Sequence, residues 1–332
     1  MSPVAAAVLF VILVPVSGAG SALFAGWMRR ARLGQAIRDY GPRLHEQKAG
    51  TPTMGGAVVL ALWGIAVGAI PELRTGPGAF VLGAGLLAGA VGGIDDLIAL
   101  RRGRSLGLRP YQKIVLLSLA AGVLFLAFPE IGRIPFAIPF SHAEVILPSW
   151  AAFLVYWLVF LSATNGMNLT DGLDGLAAGT TVVIISGFLL IAPGAVALFP
   201  LVPILIGFLW VNFHPARLFL GDVGAFGLGG AVAGAAIVTG TSFLLPLLAG
   251  LLVLEAGSVI LQVASFKLFG RRVFKISPLH HHFEHAEGID YEFLLPDAEW
   301  PEEKIVIRLW IVAGLFAALG VIAALTGAGG GT

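Results

Sequence analysis

The chain has 332 residues; 58 % are hydrophobic before its 45 glycines are counted, and 12 % are charged, whereas an ordinary soluble domain is about 45–50 % apolar with glycine included and about 25 % charged. Such a surplus of apolar surface excludes a cytosolic enzyme, a secreted disulfide scaffold, a disordered chain and a nucleic-acid binder, and leaves a multi-spanning membrane protein. The formal net charge of +1 names no partner, and the lack of cysteine removes disulfides, thiolate nucleophiles and cysteine-held metals.

A helix crosses a bilayer with about 20 apolar residues. Ten stretches qualify, at about 4–27, 53–70, 78–100, 111–129, 148–167, 173–192, 194–211, 222–241, 243–268 and 305–325. Each is predicted helical, because lipid leaves an unpaired backbone nothing to bond to. The expected fold is therefore all-α: one polytopic membrane domain over residues 1–332 with about ten transmembrane helices and both termini outside. The first span has no basic residue before it and is followed by Arg29, Arg30 and Arg32, the charge order of a retained span rather than a signal peptide. With that orientation, all of the 20 basic residues except Arg74 and Arg133 fall on the inner side. The outer loop 129–148 holds Pro129, Pro135, Pro139 and Pro148 and suits a small hairpin, and the inner loop 269–304 is the longest polar stretch.

Acids at membrane depth are costly, so they are candidates for function. Asp95, Asp96, Asp171, Asp174 and Asp222 all fall at inner ends of apolar spans. Adjacent Asp95 and Asp96 point about 100° apart on a helix, so they share no face, but they can address one cavity from its rim; plain interfacial charges are the ordinary alternative. In Asn168-Leu-Thr-Asp171-Gly-Leu-Asp174-Gly, spacing of three puts Asn168, Asp171 and Asp174 on one face if the segment is helical. An N-cap would explain only one of them. Asp222 opens the eighth span after Asn212-Phe-His-Pro-Ala-Arg-Leu-Phe219-Leu-Gly, where N-capping is again the ordinary alternative. Asn212 and His214 would then merely satisfy backbone. Lys48-Ala-Gly-Thr51-Pro-Thr-Met-Gly-Gly, before the second span, suits a phosphate but is weak alone. Three consecutive histidines, His280, His281 and His282, bring imidazoles to the inner loop for a metal or a phosphate. Glu255, in the middle of the ninth span, has no assignment beyond pairing inside the bundle.

Carboxylates and amides without cysteine suit an oxygen-loving cation, Mg²⁺ or Mn²⁺. The even-numbered spans start inside, so their positive N-terminal ends favour anions there. A divalent ion on a diphosphate beside spare carboxylates is the apparatus of phosphoryl transfer, and membrane placement makes one substrate a lipid.

The motifs KAGTPTMGG, Asp95-Asp96, NLTDGLDGL, NFHPARLFLGDVGA, SPLHHHFE and WPEEKIVIRLWI, in this order from Lys48 to about Leu309, resemble the phospho-N-acetylmuramoyl-pentapeptide transferases, within the polyprenyl-phosphate N-acetylhexosamine-1-phosphate transferase superfamily. The resemblance implies a ten-span, dimeric enzyme of the bacterial inner membrane. It would move phospho-MurNAc-pentapeptide from UDP-MurNAc-pentapeptide to undecaprenyl phosphate, giving lipid I and UMP with Mg²⁺. By motif, Asp95, Asp96, Asp222 and His280 would be catalytic, with Asp222 on the metal. Lys48, Thr51, Lys113, Asn168, Asp171, Asp174, Asn212 and Phe219 would line the uridine and diphosphate site, and His281 and His282 would touch the nucleotide-sugar or nucleoside-type inhibitors. Membrane lipids would be the surroundings, and no nucleic acid a partner. Two departures stand out. Ala99 replaces the lysine of the family's Asp-Asp-x-x-Lys pattern, leaving Arg101, Arg102 or Arg104 to supply the charge, and Ala286–Asp297 reads as an inserted surface loop. A sister enzyme transferring N-acetylglucosamine-1-phosphate, and a transporter with an acidic vestibule, are the competing readings.

Overall fold

The computed structural model describes residues 1–31, 50–104, 107–285, 289 and 291–328. Its helices are α1 (Pro3–Arg30), α2 (Gly55–Ala69), α3 (Gly76–Arg102), α4 (Pro110–Ala127), α5 (Ser149–Thr170), α6 (Leu176–Ile191), α7 (Leu201–Asn212), α8 (Gly221–Val238), α9 (Leu245–Leu248), α10 (Gly250–Phe269) and α11 (Glu302–Ala328). All ten expected spans fall on helices. Among the described residues, eight helices are long and apolar enough to cross a membrane, the seventh span drawing in the turn Pro193–Leu198 before α7. The apolar helices α2 and α6 have 15 and 16 residues, about 24 Å at 1.5 Å per residue, short of a hydrocarbon core of about 30 Å. The ninth expected span is broken: α9 stops at Ala249, whose backbone (φ −111°, ψ 36°) is not helical, and α10 starts afresh.

Local chemistry sets the helix ends. Thr75 caps α3 by accepting the Gly78 N–H at 3.1 Å, and Gly103 ends it in the left-handed region at φ 58°. The centre of the bundle is α8, whose span is 83 % buried. In its sequence, GDVGAFGLGGAVAGAAIV, 11 of 18 residues are glycine or alanine. In lipid, apolar side chains gain little by leaving their surroundings, so helices associate by close backbone packing. A Cβ on Gly92 of α3 would lie 2.0 Å from the Asp222 carbonyl oxygen, and one on Gly229 of α8 would lie 2.6 Å from that of Ala163 on α5. Large side chains around this centre turn outward: Leu126, Trp210, Leu268 and Phe269 are exposed, as lipid-facing residues are.

At one end of the bundle, Phe136–Ala137 (β1) pairs antiparallel with Glu144–Val145 (β2), the hairpin expected in loop 129–148. Phe136 stacks there between Tyr156 and Phe243. The opposite end gathers the C-terminal ends of α3, α5 and α7 with the N-terminal ends of α4, α6, α8 and α11. The chain runs up and down, so all the aspartates singled out above come to this end.

Candidate active site

One polar cluster is built on the close contact of α3 with α8. Asp96 reaches across to the first turn of α8 and accepts the backbone N–H of Asp222 at 3.2 Å and of Val223 at 3.0 Å. The N-terminus of α8 is thus capped by a side chain from another helix. The Asp222 carboxylate is thereby free of capping duty, and the ordinary alternative for it fails. Instead Asp222 Oδ2 accepts from Lys113 Nζ at 2.6 Å, and the same ammonium lies 3.0 Å from Asp95 Oδ2. Asp95 Oδ1 accepts the Leu108 N–H at 2.5 Å, which ties the start of α4 to α3. The Phe226 ring lies 5.4 Å from the same ammonium. Two carboxylates, Asp95 and Asp222, therefore share one lysine, with Asp96 beside them on the α8 backbone, and Asp222 keeps its side chain 24 % exposed. The cation is Lys113; Arg101, Arg102 and Arg104 are all exposed.

A second cluster holds the loop that leads into α8. Asp174 Oδ2 accepts from His214 Nδ1 at 3.0 Å and from the Ala216 N–H at 2.9 Å. Glu302, in the first turn of α11, accepts the Asp174 N–H at 2.7 Å and lies 3.3 Å from His214 Nδ1. The Asn168–Asp174 register expected on one helix face is not what the chain does. Helix α5 ends at Thr170, Asp171 caps it, and Asp174 sits in the turn before α6. The two glycines of the motif favour that turn, and Asn168 stays half-buried in the last turn of α5.

The inner loop docks on the same turn. His280 is wholly buried, with Nδ1 3.1 Å from Glu255 Oε2, and a Cβ on Gly172 would lie 2.1 Å from its Nε2. His281 pairs with Glu284 and is partly exposed; His282 is buried and accepts the Lys275 N–H at 3.1 Å through Nδ1. Burial lowers the pKa of both His281 and His282. The described part of the insertion packs over this tract rather than standing away from it. Tyr291 lies under the Arg272 guanidinium at 4.0 Å and donates to the Lys275 carbonyl at 2.8 Å, Phe293 meets the His282 ring edge-on, and Asp297 takes Lys275 Nζ at 2.7 Å. That bond holds the Asp297 carboxyl below the usual carboxylate range.

Of the remaining expected residues, Thr51 and Phe219 are half-buried side by side, where the Phe219 N–H donates to the Pro52 carbonyl at 2.8 Å. Asn212 is buried and donates to the Leu218 carbonyl at 2.9 Å, bracing the loop. Lys48 lies outside the described residues. The three clusters share short pieces of chain: Gly172 and Asp174 belong to one turn, and Ala216 and Asp222 to one loop and the helix it enters. Reading from sequence alone gave His214 no more than a backbone-satisfying role and did not single out Glu302. Glu302 stood in the quoted WPEEK motif, and acids in a helix's first turn usually need no further reason.

Oxygen donors without sulfur suit a hard divalent cation at Asp95, Asp96 and Asp222. Separately, Asp174, His214 and Glu302 each offer one ligand atom, all within 4.8 Å of one another, and could hold a metal ion.

Residues 79–240 of this helical bundle, which gathers acids, a lysine and histidines at one end, match glycosyl transferase family 4. Relatives called phospho-N-acetylmuramoyl-pentapeptide-transferase align over nearly the whole chain. The protein of Desulforamulus reducens is 42 % identical over 90 % of this chain and 89 % of its own length. That of Shouchella clausii is 39 % identical over 94 % and 96 %, and that of Kineococcus radiotolerans 38 % over 92 % and 93 %. The chain belongs to the phospho-N-acetylmuramoyl-pentapeptide-transferase family.

Proposed function

We propose that this protein transfers phospho-MurNAc-pentapeptide from UDP-MurNAc-pentapeptide to undecaprenyl phosphate in the bacterial inner membrane, giving lipid I and UMP, with its polar end facing the cytoplasm. The observation that carries the reading is the convergence of Asp95, Asp96, Asp222 and Lys113 on the first turn of α8, in a chain of this family. Mg²⁺, held on Asp222 beside Asp95 and Asp96, would supply charge neutralisation on the diphosphate and polarise its β-phosphorus. An oxygen of the lipid phosphate attacks that phosphorus; the bond to the UMP oxygen breaks, and UMP leaves with the electron pair. The second pKa of a phosphate monoester is about 6, so much of the nucleophile is already a dianion near neutrality. Asp95 or Asp96 takes the proton from the rest and orients the attacking oxygen. Lys113 fixes two of the carboxylates and sits where negative charge gathers on the leaving group. Thr51, Asn168, Asp171, Asn212, Phe219 and Lys48 are proposed to line the uridine and diphosphate path, with His281 reaching the sugar-nucleotide from the loop. A dimer, and competition by nucleoside-type inhibitors, belong to the same proposal.

Sugar choice tests it. Solubilised protein given undecaprenyl phosphate should release UMP from UDP-MurNAc-pentapeptide and not from UDP-N-acetylglucosamine; the reverse preference would transfer the assignment to the sister reaction. No radiolabelled phosphosugar should remain covalently on the protein, and a trapped adduct would contradict the single displacement.

A further inference from the structure

Glu255 is the acid that the proposed reaction leaves unused, and its surroundings are unusual. It is 0 % exposed, as is His280. Its Oε2 faces His280 Nδ1 at 3.1 Å and the His280 N–H at 3.4 Å, while its Oε1 and His280 Nε2 are buried with no hydrogen-bond partner. A nitrogen facing a carboxylate carries the proton, so in the neutral ring Nε2 is bare. Nε2 faces Gly172, where a Cβ would come within 2.1 Å of it, so the ring fits only beneath a glycine. One helix face makes the whole dock: Gln262, seven residues on from Glu255, accepts the Val273 and Phe274 N–H groups at 2.9 Å each. With no exposed surface, His280 offers no face to a substrate, but its ring lies 4.1 Å from that of the partly exposed His281.

We propose that Glu255 is a positioning residue: its carboxylate locks His280 in the tautomer protonated at Nδ1, and so seats both His281 and the turn that carries Asp171 and Asp174. The inference rests on the transferase reading for its kinetic consequence, not for its geometry. Selective ¹⁵N-histidine labelling of the detergent-solubilised protein reads the tautomer directly. Other histidines also face carboxylates through Nδ1, so the His280 signal, with a protonated Nδ1 and a bare Nε2, is identified as the one that His280→Ala removes. Glu255→Leu should lose it and lower kcat/KM for the nucleotide-sugar roughly 10- to 100-fold, with KM for undecaprenyl phosphate nearly unchanged. In the His280→Ala background it should cost nothing further. Glu255→Gln, which still offers a carbonyl oxygen, should keep the signature and most of the activity. Should Glu255→Leu fail to fold, the Gln variant decides alone: retention supports the lock, and a loss as deep as that of His280→Ala overturns it. The proposal is also overturned if the signature survives Glu255→Leu, or if that change is equally costly without His280. Wild-type protein that releases no UMP would instead sink the transferase reading and leave the tautomer measurement standing.

Discussion

Asp222→Asn puts the residue-scale account at risk. The substitution keeps shape but removes the charge that Lys113 neutralises, so UMP release should fall by at least about 100-fold, with a melting temperature within a few degrees of wild type. Wild-type turnover in that variant would remove Asp222 from the proposed chemistry. Glu72→Ala, at the opposite end of the bundle, should leave turnover unchanged. Gly172→Ala should destabilise by roughly 1–3 kcal/mol, because its Cβ collides with the buried His280 ring; an unchanged melting temperature would contradict that packing. At this scale the sequence was readable where a residue was expensive. Aspartates at span ends drew attention because lipid penalises them. Glu302 did not, and His214 passed as a mere backbone partner, since their importance lies in meeting Asp174 across three separate segments, and no local spacing records that.

Elements were legible through their length and apolar content, and their breaks were not. The hinge at Ala249–Gly250 interrupts a continuous apolar run, and the turn after Thr170 replaces a helical register that spacing alone permits. The α3–α8 contact predicts that Gly92→Val drives the two backbones apart and lowers stability by several kcal/mol, about as much as an overpacked core or more; a melting curve in detergent checks this. The histidine loop carries its own pH dependence. Burial lowers the pKa of His281 and His282 in the folded protein below the ordinary 6.5. Below that value the unfolded chain binds more protons than the folded one. The stability of this loop is thus complete above about pH 6.5 and declines as pH falls towards the folded pKa. Limited proteolysis of the loop should accelerate between pH 7.5 and 5.5, and equal cleavage at both would contradict the burial of these rings.

For the whole molecule, alternation of the helices does most of the work. Reversal at each connection brings motifs from residue 51 to residue 302 to one end of the bundle, and the small residues of α8 let them converge. Composition alone announced a membrane protein and the order of motifs its family, whereas the junctions between clusters needed three dimensions. This end of the bundle is proposed to carry out a divalent-ion-assisted phosphosugar transfer to a lipid phosphate. The direct measurement is UMP release from UDP-MurNAc-pentapeptide by purified protein with undecaprenyl phosphate, first with a chelator and then with Mg²⁺ restored. Release that stops under the chelator and returns with Mg²⁺ is the expected result; release that continues without divalent ions, or never occurs with both substrates present, would contradict it.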